Sequence, residues 1–393
     1  ENKFPAAAAR GNGKKRDVFI MNFAKLHEDV CFKRAHGPVI WQPRIQCWID
    51  DKLFADGKLP GKYEGMTKPE IYRELGCSAR IYEYNDCFYP VYDDTIRTYF
   101  KDEGNIRTNY FETPLGTVTQ QLKTTPSSWA KLVTKEWVCS EEDLKIFTYI
   151  EEHTNWAFSQ EVFDRVQAEW GDLGAPTIFM PRVSMQRLYI DLMGVEEVVY
   201  ATIDYPETVE AYFDALRECH FRLIDVINES PIDLINFGDN IHSGTLSPSL
   251  FEQYVLPEYK LRCERLHKAG KFVYSHFDGD NRGLMEFYRE TGLDGIEAIT
   301  PKPQGDVTLE EVHEHLGDMF LLDGIPAVYF DEEFPEEVLV DCVHKILDLF
   351  APNLVLGISD EISSTGDIER IRLVGKIVDE YNAKIRAEQS IEE

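Results

Sequence analysis

Between Lys271 and Asp306 the chain reads KFVYSHFDGDNRGLMEFYRETGLDGIEAITPKPQGD, with His276, Asp278 and Asp280 around a glycine and Glu297 further on. An imidazole and several carboxylates grouped in this way can hold a metal ion or move protons. Other ionisable residues follow apolar runs: Asp239 after DLINFG, Asp323 after MFLL, Asp360 and Glu361 after NLVLGIS. Arg44 follows PVIWQP and Arg182 follows PTIFMP, and either suits an anionic substrate group or a carboxylate partner. Each has a plainer reading. Asp278 before Gly279 suits an Asx-turn, His276 a hydrogen-bonded strand end, and Asp239, Asp360 and Glu361 helix caps. Their shared place at the ends of apolar runs is the stronger sign.

The elements that must position these groups alternate. Phe272–Tyr274 and Leu293–Ile299 are of strand type, and a short amphipathic helix with Leu284, Met285, Phe287 and Tyr288 lies between them. Val39–Ile45, Pro176–Arg182, Asp233–Gly238, Met319–Leu322 and Asn353–Ile358 also read as strands. Helices are expected from Ser184 to Met193, from Pro206 through Val226, from Ser247-Pro248 to Gly270, after the capping box Thr308-x-x-Glu311, from Pro335, and over Ile368–Lys384. Pro257 should kink or split the helix that contains it. Strands and helices in alternation imply a parallel sheet. Ionisable groups at the ends of five strands suit a closed ring better than the single crevice of an open sheet. The fold class is therefore α/β, a (β/α)8 TIM barrel.

Residues 50–170 do not follow the repeat. They are rich in aromatics and hold turn signals at Gly57–Pro60, Pro90 and Thr113–Gly116. They read as an elaborated N-terminal cap whose rings, Trp41 and Tyr84 among them, are candidates for binding a flat substrate. Residues 1–20 read as a tail, and 21–390 as a single barrel domain.

The chain has 393 residues, a net charge of −29 and no apolar run of the roughly 18 residues a membrane span needs. Its charge argues against nucleic acid and anionic membrane as partners. Eight cysteines without a CxxC pair read as buried thiols of a reducing cytoplasm. There is no apolar signal-peptide core in the first twenty residues and no Gly-rich phosphate fingerprint.

Three longer runs carry a family signal: GDLGAPTIFMPRVSMQRLYIDLMGVEEVVYATIDYPETVEAYF, NFGDNIHSGTLSPSLFEQYVLPEYKLRCERLHKAGKFVYSHFDGD and GISDEISSTGDIERIRLVGKIVDEY. They resemble the uroporphyrinogen decarboxylase superfamily over most of Trp41 to Tyr381. The resemblance implies a barrel with its site in the C-terminal mouth. It also implies one of two activities, heme-pathway decarboxylation or corrinoid-dependent methyl transfer in anaerobic one-carbon metabolism. The arginine-rich N-terminal run of the decarboxylases is reduced here to Arg44, too few guanidinium groups for a substrate with eight carboxylates.

In the thiol-directed methyltransferases of the superfamily, a His-x-Cys pair and a later Cys hold zinc. Those places fall on His276, Asp278 and a position at or near Asp360. The resemblance thus implies zinc held by His276, Asp278 and Asp360, with Glu297 as a further candidate. With oxygen ligands it would act as a Lewis acid on the ether oxygen of a methyl ether, commonly an aromatic one. Catalytic roles would fall to Asp239, Glu297 and His276, and substrate binding to Arg44, Arg182, Trp41 and Tyr84. The methyl acceptor would be the corrinoid of a partner protein, and a second copy of the chain is a further candidate partner. The alternatives are metal-free transfer between methylcorrinoid and tetrahydrofolate, and a uroporphyrinogen-type decarboxylase.

Overall fold

The computed structural model describes residues 21–392; the expected tail at residues 1–20 lies outside them. Seven short parallel strands lie side by side in the order Ile40–Trp41, Leu354–Ser359, Phe320–Pro326, Gly295–Glu297, Phe272–His276, Leu234–Phe237 and Thr177–Met180. The two edges of this sheet meet through Ser78–Ile81. Ser78 N–H donates to Trp41 O at 2.9 Å, and Ala79 N–H donates to Leu173 O at 2.8 Å. The approach is close enough that a Cβ on Gly174 would fall 2.2 Å from the Ala79 carbonyl oxygen. The sheet and this segment give the eight walls of a (β/α)8 barrel, and one wall therefore comes from inside the stretch expected to be cap.

Period-two alternation decides what faces inward. Phe272 and Tyr274 pack with Ile40, Leu234, Phe320, Leu322 and Val355 in one buried cluster. Val30 and Cys31 join the cluster from the helix Phe23–Cys31, which plugs the N-terminal end of the barrel. Each such side chain stabilises the fold by roughly 1.5–3 kcal/mol on burial. One pleat further along, the inward residues become polar: His276 pairs in register with Glu297. The bottom of the barrel is thus an apolar core and the top carries the ionisable groups.

Several expected boundaries move for local reasons. The first strand is only Ile40–Trp41, because Pro43 offers no N–H to a ladder. Gly295–Glu297 is shorter than expected, since Ala298 turns to φ +63°. Phe320–Pro326 is longer: Asp323, expected at its end, lies within it at φ +74°. Pro257 splits its helix as expected, with a wide turn at Phe251–Val255 before the regular helix Leu256–Lys268. Pro206–Glu229 and Glu336–Phe350 form as expected, and the Thr308–Glu311 capping box is made. The last helix runs further, Glu369–Glu392.

The rest of the 50–170 region is an antiparallel layer. A four-stranded sheet comprises Arg97–Glu103, Ile106–Thr113, Gly116–Thr125 and Ser128–Lys135. A second pair, Phe88–Tyr92 with Thr154–Phe158, ties the layer back to the barrel beside the helices Glu141–Glu152 and Gln160–Trp170. Gly104 at φ +63° makes the first hairpin turn, a conformation that costs a residue with a Cβ. All eight cysteines are free; Cys139 is exposed, against the expectation of buried thiols. Among the described residues no helix is long and apolar enough to cross a membrane.

Candidate active site

The floor of the C-terminal mouth is built around Arg80, which enters from the Ser78–Ile81 wall. Its guanidinium pairs directly with Glu297 and, through Nη2, with Asp323 Oδ1 at 3.1 Å. All three side chains are almost wholly buried. Glu297 is fully engaged. Asn236 Nδ2 donates to its Oε2 at 2.5 Å, and His276 Nδ1 lies 3.3 Å from the same oxygen. Burial alone would raise the Glu297 carboxyl, but the Arg80 charge holds it well below the usual range. Asp323 goes the other way: burial pushes it up, and the neighbouring Glu297 charge opposes its ionisation further, while Arg80 pulls against both. Two carboxylates on one guanidinium do not ionise equally. The barrel makes room for this: a Cβ on Gly357 would fall 2.1 Å from Asp323 Oδ1.

His276 stands one level above. Its Nε2 faces Asp278 Oδ2 at 3.9 Å, and Asp278 Oδ1 is buried without a partner. Burial opposes charge on the imidazole, yet Asp278 and Glu297 on its two sides outweigh that and raise its pKa to about 9. Arg44 reaches over from the end of its strand, with Nη1 3.5 Å from His276 Nδ1 and 3.6 Å from Asp360 Oδ1. Its Nε is buried without a hydrogen-bond partner. These groups border a cleft of about 500 Å³, whose other walls include Tyr82, Phe179, Arg182 and Asp239. The Tyr82 and Phe179 rings stack at 5.3 Å.

The sequence expectations divide against this geometry. His276, Asp278, Glu297, Arg44, Arg182 and Asp239 all come to the mouth. Arg182 already pairs with Asp191 at 3.0 Å. Asp239 is buried as a clamp, accepting from Val183 N–H at 3.0 Å and from Tyr259 OH at 2.7 Å. Trp41 and Tyr84 do not line the cleft. Trp41 donates to Ile371 O from a buried position, and Tyr84 is buried with its hydroxyl on Gln167. Their place in substrate binding is therefore corrected to packing; Tyr82, two residues before Tyr84, supplies the ring wall.

The expected zinc set does not fit. Among the described residues no three His, Cys, Asp or Glu side chains gather closely enough to share an ion. Asp360 is 63% exposed and turned toward Arg44, whose permanent positive charge stands between it and His276 and opposes a dication there. Glu297 is committed to Arg80, Asn236 and His276. Arg80 itself escaped the sequence reading. The alternation Ser78, Arg80 is too short to register as a strand, and it is hidden in an aromatic-rich stretch. Asn236 and Arg187 lie within an expected strand and helix, but a neutral amide and a helical arginine carry no local sign of a site. Tyr82 is one of the cap aromatics that read as candidate pocket walls.

Residues 187–322 match the family described as uroporphyrinogen decarboxylase (URO-D). That match covers about a third of the chain. The matched stretch holds Asn236, Asp239, His276, Asp278 and Glu297, whereas Arg44, Arg80 and Asp360 lie outside it. Among solved structures, a methyltransferase from Methanosarcina mazei shares the fold at 13% identity, with TM-score 0.57 over 92% of this chain and 98% of that one. A vitamin-B12-independent methionine synthase from Listeria monocytogenes aligns at 13% identity and TM-score 0.40, over 89% and 96% of the two chains. One from Shewanella aligns at 10% identity and TM-score 0.40, over 91% and 98%. No curated protein matches the sequence.

Proposed function

We propose that this protein is a methyltransferase that takes a methyl group from a methylated oxygen and returns the oxygen as a protonated alcohol or phenol. The reading rests on one observation above the others: His276, flanked by Asp278 and Glu297, at the floor of a cleft with Arg44 beside it. In the step, the C–O bond breaks, the methyl carbon passes to a nucleophilic acceptor, and the electron pair stays on oxygen. His276 donates its proton to that oxygen, and Arg44 stabilises the charge that develops there. Proton donation takes the place of the expected zinc, whose ligands do not assemble. The acceptor we favour is the reduced corrinoid of a partner protein, acting as co-substrate. The family match over residues 187–322 and the fold shared with a methyltransferase support the reaction class.

The test is methyl transfer to cob(I)alamin from a panel of methoxy compounds, with tetrahydrofolate as an alternative acceptor and carbon dioxide release as a control. Replacing His276→Ala should lower transfer by roughly 10²–10⁴-fold, the usual worth of a positioned acid. Full activity in that variant would overturn the role of His276. Carbon dioxide release without methyl transfer would overturn the reaction class. Dialysis against a zinc chelator should leave transfer intact, whereas loss restored by zinc would reinstate the metal.

A further inference from the structure

A second chamber of about 420 Å³ opens beside the mouth, between the barrel and the antiparallel layer. Pro181, Arg187 and Asp191 border both spaces. Its walls include the rings of Tyr92, Phe111, Trp137, Phe147 and Trp156. Phe111, Trp137 and Phe147 stand tilted to one another with centroids 5.1, 5.9 and 6.0 Å apart. Two carboxylates line it: Asp191, already paired with Arg182 and Arg187, and Glu151, which is 7% exposed. Among the described residues the Glu151 carboxylate makes no ion pair within 4.0 Å; its side-chain hydrogen-bond partner is the Cys219 thiol, a weak donor, and its backbone oxygen is engaged by Arg222. Arg187 turns to Asp191 at 2.8 Å instead, and Arg222 Nε donates to Thr154 O. Burial raises the Glu151 carboxyl, with Arg187 acting against it. His220, also in the wall, is kept neutral by burial.

A buried carboxylate with only a thiol to donate to it is costly, and here a helix end makes it more so. Glu151 sits in the last turn of Glu141–Glu152, at the negative end of the helix dipole. We propose that this chamber binds a small methylated organic cation, its charge facing Glu151 and its methyl groups against the aromatic rings. Ring faces attract a cation through their quadrupole, most strongly where water is excluded, and methylated ammonium groups suit such walls. The chamber falls within the size range of small-ligand pockets, roughly 300–1,000 Å³. Because it adjoins the mouth, the cation would be the charged end of a substrate whose methylated oxygen lies at His276. That last step rests on the proposed function; the binding site does not.

The experiment uses choline as probe and 3,3-dimethylbutanol as its uncharged isostere, with binding read by calorimetry and by tryptophan fluorescence. Wild-type protein should bind choline saturably and the isostere about tenfold more weakly or worse. Glu151→Gln, which keeps shape and removes charge, should erase that preference while binding of the isostere persists. The proposal is overturned if choline does not bind, if the two probes bind alike, or if Glu151→Gln leaves choline affinity unchanged. His276→Ala should bind choline as wild type does. Choline binding without methyl transfer from any donor would sink the proposed function and leave the chamber standing. Transfer from a neutral methyl ether that choline neither binds beside nor inhibits would do the reverse.

Discussion

The barrel floor and the neighbouring chamber both bury carboxylates, and they treat them in opposite ways. On the floor, Glu297 and Asp323 share the guanidinium of Arg80, and Asn236 and His276 complete the shell of Glu297. In the chamber, Glu151 faces aromatic rings with no ion-pair partner among the described residues, only the weak donor of the Cys219 thiol. A matched set of charges fixes its members in place, which suits a surface that must orient a reacting group. An unmatched charge leaves an attraction unsatisfied, which suits a surface that must capture something.

The contrast is easiest to break at Arg80. Arg80→Met would strand two carboxylates in the barrel, and unfolding in urea should show a loss of about 3–5 kcal/mol. A loss near zero would mean that the floor is not held by this pairing. Next comes the pH dependence set by His276. Its folded pKa, about 9, lies above the ordinary imidazole value, so protonated His276 stabilises the fold fully below about pH 6.5. That contribution, on the order of 3 kcal/mol, should fade as pH rises through about 9. It is measured as the difference between wild type and His276→Gln in unfolding free energy, compared at about pH 6 and about pH 10. Methyl transfer should fall over the same upper range.

A smaller effect tests the room made for Asp323. In Gly357→Ala the new Cβ meets Asp323 Oδ1 at 2.1 Å and Gln42 O at 2.9 Å, and such overpacking costs about 1–3 kcal/mol. Thermal unfolding reads it, and an unshifted midpoint would show that the carboxylate lies elsewhere. The smallest effect carries the opposite sign. Glu151→Gln should leave stability unchanged or raise it by up to about 1 kcal/mol, since it removes a buried charge that has no ion-pair partner and only a thiol donor. A clear loss would reveal a structural partner for Glu151 and make the two regions alike.

The sequence by itself determined the barrel and the identity of its mouth. Alternating strands and helices, with ionisable groups ending the strands, were legible because side-chain period and cap chemistry are local properties. His276, Asp278, Glu297, Arg44 and Arg182 were found in this way. Tertiary structure alone decided which of them touch. Arg80 comes from a wall too short to leave a periodic trace, and by taking Glu297 it removes one candidate metal ligand. Asp360 follows its strand as expected, yet a left-handed backbone at φ +71° turns it outward to Arg44. The pairing of distant charges depends on where the closed ring sets them in space, and spacing along the chain does not encode those distances.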